Sequence, residues 1–413
     1  MSTLEHVQAS MPPATEGTFG AHDPTVIPDV DGTFVMVSTD TLMVEPGAGA
    51  ELRVSDDLVH WHWLGRALTG VPAAAQHWSG AEGLWAPEIV HRLGEFRMYY
   101  SASTFGSRTS AIGFATAPSA KGPWQDRGVV LQTHHDTSVM NAIDAAVVQD
   151  SRGDDWLLYG SFFGGLRILP LKESGWPVAA DELGVPVARR HPADDNGAIE
   201  GAHILWNQDS GRYYLFCSFD SLFDGYHVRA ARSRALTGQY VDVQGRSMMM
   251  DDVPGGRAGN VLVSSHVDVE GRTWLAPGHS SHLRVGDDLF LVNHVRHGDD
   301  PTRHSAQIRQ MGWTSTGWPV VSPRTWGGYV DEEAPLPTQW VATELPDDGH
   351  ALAVPRPADV EVTERHGNQV KIRFEGQTLP GVVFQDRVLE CAVASVAAVG
   401  PDGATVWFQG AKD

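Results

Sequence analysis

The chain has 413 residues, 42% of them hydrophobic, which is enough to bury large cores and by length alone to fill two or three domains. Its formal charge of −21, from 51 acidic and 30 basic residues, excludes nucleic-acid backbones and anionic membrane surfaces as natural partners and disfavours a polyanionic polymer, so a neutral ligand fits best. The two cysteines, Cys217 and Cys391, are too far apart in the chain to imply a disulfide framework, and Cys217 reads as a structural thiol.

Residues 1–20 lack the basic start and apolar run of a signal peptide, and no 18-residue apolar stretch follows. The chain as given therefore reads as cytoplasmic, or as secreted if a signal has been removed. Next comes a pattern that recurs five times: a polar anchor, a β-rich run, a turn with Gly, then a strand carrying aromatics. The copies begin at Asp23, Glu88, Asp144, Glu200 and Ser265, about 60 residues apart, longer than the roughly 40–50 residues of common propeller repeats. Each copy has room for four strands and long connections, and no window shows a sustained helical period. Gly 44 and Pro 25 suit many short strands with tight turns.

Radial repetition of such units puts equivalent positions on a ring around one axis, so the four carboxylate anchors face one another. Like charges gathered at an axis cost free energy, and sites of that kind are usually functional. The expectation is an all-β chain: a lead-in at 1–20 that supplies a closing strand, a five-bladed β-propeller at 21–326, a Pro-, Gly- and acid-rich linker at 327–337, and a small C-terminal β-domain at 338–413. Fourteen Trp supply flat faces suited to stacking on sugar rings as well as to filling cores.

Several motifs carry a resemblance. AHDPTVI (21–27), LWAPEIV (84–90), YYSASTFGSRTSAIGFAT (99–116), NAIDAAVV (141–148), GSFFGGLRI (160–168), AIEGAHI (198–204), YYLFCSFDS (213–221), PGHSS (277–281) and GWPVVSPR (317–324) occur in family order across the propeller region. By these the chain resembles glycoside hydrolase family 43, and within it the arabinanases. The segment after the propeller resembles, more loosely, a β-domain carried by one arabinanase subgroup.

What the resemblance implies is a glycoside hydrolase that inverts anomeric configuration and acts on the α-1,5-L-arabinofuranosyl linkages of arabinan or arabino-oligosaccharides, with endo action the first reading. Inversion needs one carboxylate to activate water and one carboxylic acid to protonate the leaving oxygen. By motif position Asp23 is the general base, Glu200 the general acid, and Asp144 the third carboxylate, which holds the acid and keeps its pKa high. Glu88 reads instead as an architectural acid that bonds backbone at a blade start.

Substrate contacts are expected from Trp85 in the WAPE motif and from Phe105 in a Gly- and Ser-flanked loop. Asn141 and Ser161, small polar groups beside the catalytic anchor and at the end of the next strand, are set equally to bond sugar hydroxyls or local backbone. His22 precedes the base and is a further candidate substrate contact, although in a strand its side chain points away from that of Asp23, which leaves a structural role equally open. His279 of PGHSS is the expected holder of an ion on the axis, calcium by resemblance, although one imidazole is a poor recruiter of that oxygen-seeking cation. No organic cofactor is expected, and no oligomeric state is indicated. Ala145, Ala202 and His203 depart from the usual family residues, and by sequence position they fall near the cleft. The rival readings are an exo-acting α-L-arabinofuranosidase or β-xylosidase on the same fold, and a sugar-binding propeller without catalysis.

Overall fold

β-branched and aromatic residues in short alternating runs, separated by Gly, Asn and Asp turns, favour antiparallel strands over helices. The computed structural model describes residues 17–41, 43–44, 46–179, 182–388 and 391–411. The single helix among the described residues is Ala73–Ser79, and everything else regular is strand. Most of the lead-in, residues 1–16, lies outside the described residues.

Five sheets form the blades of a β-propeller. Blade 1 comprises Thr25–Pro28, Phe34–Ser38, Glu51–Ser55 and His62–Arg66; blade 2 comprises Trp85–Arg92, Glu95–Ala102, Ser110–Ala117 and Gln125–Thr133. Blade 3 is built from Ala146–Gln149, Asp155–Tyr159, Leu166–Pro170 and Val185–Arg190, with Met249–Met250 added in parallel at its edge. Blade 4 is Ile199–Asn207, Arg212–Ser221, Asp224–Ser233 and Asn260–Val263. Blade 5 is Thr273–Val285, Asp288–His297, His304–Trp313 and Pro319–Val321, with the short strand His266–Val267 beside the first.

Five apolar cores separate neighbouring blades, and alternation along each strand feeds them. In blade 2, Met98 and Tyr100 enter the core shared with Val35 and Val37 of blade 1, while Tyr99 between them enters the core shared with Val147 and Leu157 of blade 3. Cys217 sits in the core between blades 3 and 4, where burial pushes its thiol up to about 12. Val26 and Met36 pack on Phe290 and Ile308, which closes blade 1 on blade 5. The described end of the lead-in adds to that closure: Phe19 bridges Ser305, and Gly20 N–H donates to His304 O at 2.9 Å.

The structure corrects the fifth copy of the sequence repeat. The strand that packs on the inner strands of blades 1 and 4 is Thr273–Val285, not the run after Ser265. Two bulges, between Leu275 and Gly278 and between Gly278 and Ser281, shift its register. They bring His279, not Ser265, to the mouth of the ring. Ser265 accepts the Ala276 N–H at 3.0 Å and steadies the strand from outside the cleft.

A radial set of hydrogen bonds fixes each blade entry to the blade before it. Thr39 Oγ1 accepts Ala86 N–H (2.8 Å), Ser101 Oγ accepts Asp144 N–H (2.9 Å), Ser161 Oγ donates to Glu200 (2.6 Å), Ser218 Oγ accepts His279 N–H (2.8 Å), and His294 Nδ1 accepts Asp23 N–H (3.3 Å). All five donors or acceptors sit at or near the end of a blade's second strand. The ring therefore positions its own anchors.

Glu88 belongs to this framework. Its carboxylate accepts Thr25 Oγ1–H at 3.1 Å and Val147 N–H at 3.4 Å, tying blade 2 to blades 1 and 3, and burial pushes its pKa up to about 7. A folded-state pKa above the ordinary 4.5 means that its contribution is fully present below that value and is lost as pH rises through about 7. Glu88→Gln keeps both contacts without the ionisation, so its stability should vary less than that of the parent between these pH values. Urea unfolding at a series of pH values checks this; parallel curves would contradict it.

No strand forms between Val321 and Trp340. After it comes a seven-stranded sheet in the order Arg356–Ala358, Trp340–Glu344, Thr405–Gly410, Cys391–Val399, Gln377–Val388, Gln369–Phe374, Glu361–His366. One face holds its own core around Ile372, Val396 and Phe408. Val382, Phe384 and Trp407 pack against Trp318 and Val320 of blade 5, and Ser322 Oγ donates to the buried Asp386 at 2.7 Å.

Candidate active site

A cavity of about 400 Å3 opens at the mouth of the ring. Asp23, Asp144, Glu200 and His279, from four different blades, line it together with Trp85, Phe105, Asn141 and Ser161. Glu88 does not line it. The blade entries share a backbone device: Asp23, Ala86, Asp144 and His279 have φ of 50°, 39°, 59° and 46°. That conformation is strained for residues with a Cβ, and here it turns three chemistry-bearing side chains toward the axis. Gly201 supplies the fifth such position (φ +55°), where a Cβ would lie 2.8 Å from His279 Cα.

Asp23 is held as an anion. Burial works against its charge, but His22 and His279 beside it outweigh that and keep its pKa well below the usual carboxylate range. His22 Nδ1 lies 2.9 Å from Oδ2, His279 Nδ1 3.2 Å from Oδ1, and Thr39 Oγ1–H donates to Oδ2 at 2.6 Å. Thr39 also carries the Ala86 N–H, so one hydroxyl ties the carboxylate to blade 2.

Asp144 and Glu200 behave in the opposite sense. Burial first, and then mutual repulsion with Glu200 and Asp23, raises Asp144 well above its ordinary value. Burial pushes Glu200 up to about 7, the charge of Asp23 adds to this, and hydrogen bonds from Ser161 and Tyr226 oppose it. Two facing carboxyls in a dry site titrate as a unit. Gly201 N–H donates to Asp144 Oδ2 at 3.1 Å, which favours charge on Asp144, as the hydrogen bonds from Ser161 and Tyr226 favour it on Glu200.

The remaining expected residues fall as follows. Trp85 is half-buried in the wall, Phe105 is 78% exposed, and the buried Asn141 accepts from Ser110 Oγ–H at 2.7 Å. Ser161 donates to the Glu200 carboxylate, a use the sequence reading did not include. His22 turns toward Asp23, contrary to strand alternation, because Asp23 is left-handed and not extended. It stacks on His294 (ring centroids 3.7 Å, 18°) and is outside the cleft lining. Ala145, Ala202 and His203 are also outside the lining; His203 is buried, stacked on Phe216 at 4.6 Å.

Sequence reasoning missed Thr39, Tyr226 and His294. Tyr226 stacks on His294 (5.7 Å, 14°) and hydrogen-bonds Glu200, and Gly278 makes room for it: a Cβ there would lie 1.9 Å from the Tyr226 ring. A usable signal existed in the polar residue closing each second strand, as in FVMVST, FRMYYS and FLVNH.

The ion expectation rests on His279, and a second group near the axis could also hold an ion. Among the described residues, His22, Asp23 and His294 form a group whose ligand atoms lie within 4.8 Å of one another, and His279 Nδ1 lies 3.2 Å from the same Asp23. Two imidazoles and one carboxylate are by themselves a poor match to calcium, which takes six to eight oxygens, so at either place waters would fill most of its shell. Such a donor set suits a borderline transition metal, and the chemistry below routes nothing through an ion.

Known proteins resemble this chain in sequence and fold. The family model of glycosyl hydrolases family 43 matches residues 18–319. An extracellular exo-α-(1→5)-L-arabinofuranosidase of Cellvibrio japonicus is 32% identical over 333 residues, covering 75% of this chain and 89% of that protein. An extracellular endo-α-(1→5)-L-arabinanase of Thermotoga petrophila is 27% identical over 395 residues, 86% of this chain and 79% of that one. The crystal structure of an endo-1,5-α-L-arabinanase from Thermotoga petrophila matches with a TM-score of 0.81 at 25% identity, covering 96% of this chain and 99% of the other.

Proposed function

The chain belongs to glycosyl hydrolases family 43, and from that premise we propose that it hydrolyses the α-1,5-L-arabinofuranosyl linkages of arabinan and arabino-oligosaccharides with inversion. Asp23 is the general base, Glu200 the general acid, and Asp144 the group that keeps Glu200 protonated. The carrying observation is the opposed environment of two carboxyls in one cleft: Asp23 is held charged and Glu200 is pushed up to about 7. Pairs of titratable groups pushed apart in this way divide into base and acid. Water attacks as Asp23 takes its proton, the glycosidic C–O bond breaks, and Glu200 delivers its proton to the departing oxygen.

Endo action is the first reading, supported by the similarity to the Thermotoga petrophila arabinanase. The exo reading is kept because the Cellvibrio japonicus relative is exo-acting by name. Incubation with linear arabinan, branched arabinan and xylan, with products resolved by size, separates them. A ladder of oligomers supports endo action; monosaccharide alone supports exo action. Xylose products without arabinan cleavage would overturn the arabinan reading. Both relatives are extracellular by name, which supports the secreted alternative and not the cytoplasmic expectation.

Asp144→Asn removes the carboxyl that titrates together with Glu200 and, in this reading, leaves Glu200 the proton. Its kcat on arabinan should fall by roughly 10²–10³, with less than about tenfold loss on an aryl arabinofuranoside whose leaving group needs no acid. The alkaline limb of its pH profile should move to lower pH. Equal losses on both substrates would contradict a tuning role.

A further inference from the structure

The cleft carries an aromatic pair that the hydrolytic chemistry does not use. Phe105 stands in the loop between the second and third strands of blade 2, and Phe223 in the turn between Ser221 and Asp224 of blade 4. They are 78% and 66% exposed, yet their ring centroids are 5.9 Å apart at 59°. Blades 2 and 4 are not neighbours. The pair therefore spans the mouth, with blade 3 between.

Both sides are braced by arginine. Arg296 of blade 5 lies over the Phe223 ring at 5.2 Å, and its Nε–H donates to Leu222 O at 2.9 Å. In the Phe105 loop, Arg108 lies over Phe163 of blade 3 at 4.7 Å and donates to His135 O at 2.7 Å. Blades 2, 3 and 4 thus join in one aromatic wall. Among the described residues, blades 1 and 5 give the cleft only Asp23, Thr39 and His279.

Two large apolar rings left in water beside a cleft mark ligand contact, and their faces suit the C–H faces of a sugar. At 5.9 Å the rings touch each other, so no sugar fits between them, and they line the same cavity as the carboxylates at which a sugar would bind. A branch on that sugar has no exit between the rings. We propose that Phe223, closing on Phe105, is a specificity-determining residue that admits linear arabinan chains and excludes arabinosyl-branched ones. This rests on the arabinan reading of the same cleft and adds to it a selection by steric exclusion.

The test compares kcat/KM on linear and on branched arabinan for the parent protein, Phe223→Ala and Phe223→Tyr. The parent should prefer the linear chain; Phe223→Ala should raise the branched-to-linear ratio by about tenfold, and Phe223→Tyr should keep the parent ratio. Because Phe223 is 66% exposed, the melting temperature of Phe223→Ala should match the parent, which separates a cleft effect from a folding one. A ratio in Phe223→Ala within about twofold of the parent overturns the arch alone. Turnover of neither arabinan by the parent overturns the arabinan reading and the arch with it.

Discussion

Asp23→Asn is expected to lower kcat on linear arabinan by roughly 10³–10⁴, with KM changed little. The amide fits the same space and can keep the Thr39 contact now made at 2.6 Å, so the fold and the cleft should persist. What disappears is the proton acceptor. Asp23 is the one anchor whose surroundings, His22 at 2.9 Å and His279 at 3.2 Å, hold it charged against its burial. Asp23→Ala leaves room for a small anion, so azide should restore part of the rate on an activated aryl arabinofuranoside and give the inverted glycosyl azide. Steady-state kinetics with and without azide check both points. A loss under about tenfold in Asp23→Asn would remove it from the chemistry.

Glu200→Gln should cost roughly 10²–10³ on arabinan and far less on an aryl glycoside with a good leaving group, because only the first needs a proton delivered. Arabino-oligosaccharide binding by calorimetry should be retained. The pH profile gives the sharper readout. An acid pushed up to about 7 by burial is protonated and competent below that pH and loses the proton above it, so parent activity should fall on the alkaline side through about pH 7. That limb should vanish in Glu200→Gln on the aryl substrate. A limb that persists unchanged, or unchanged turnover on arabinan, would assign the acid to another group, and sugar binding without turnover by the parent would favour a binding propeller.

Much of this was legible in the sequence because repetition constrains geometry. Once Asp23, Glu88, Asp144 and Glu200 recur about 60 residues apart on strand entries, a ring follows, and with it a shared mouth. Their inequality was less legible. Glu88 follows a bulge between Trp85 and Glu88 and points between blades, whereas Asp23 and Asp144 turn to the axis through positive φ. Backbone handedness of that kind leaves no mark in a pattern of residue types when the residue is not Gly. It also defeated the alternation argument for His22, and the bulges around Gly278 moved the fifth anchor from Ser265 to His279.

Partners across the ring were hidden for a different reason. Thr39 reaches Asp23 within one blade, but Ser161 reaches Glu200 and His294 reaches Asp23 only because adjacent blades pack, at separations of 39 and 271 residues. The pair Phe105 and Phe223 depends on two loop tips meeting over a third blade. Loop reach is the property a sequence conveys least.

The most direct measurement of the central claim is the anomeric configuration of the first product released from linear arabinan, followed by NMR before mutarotation. Water activated by Asp23 on the face opposite the leaving group predicts that the α-linked substrate yields the β-anomer first. Release of the α-anomer would mean retention through a covalent intermediate, and would contradict the assignment of Asp23 as base and Glu200 as acid.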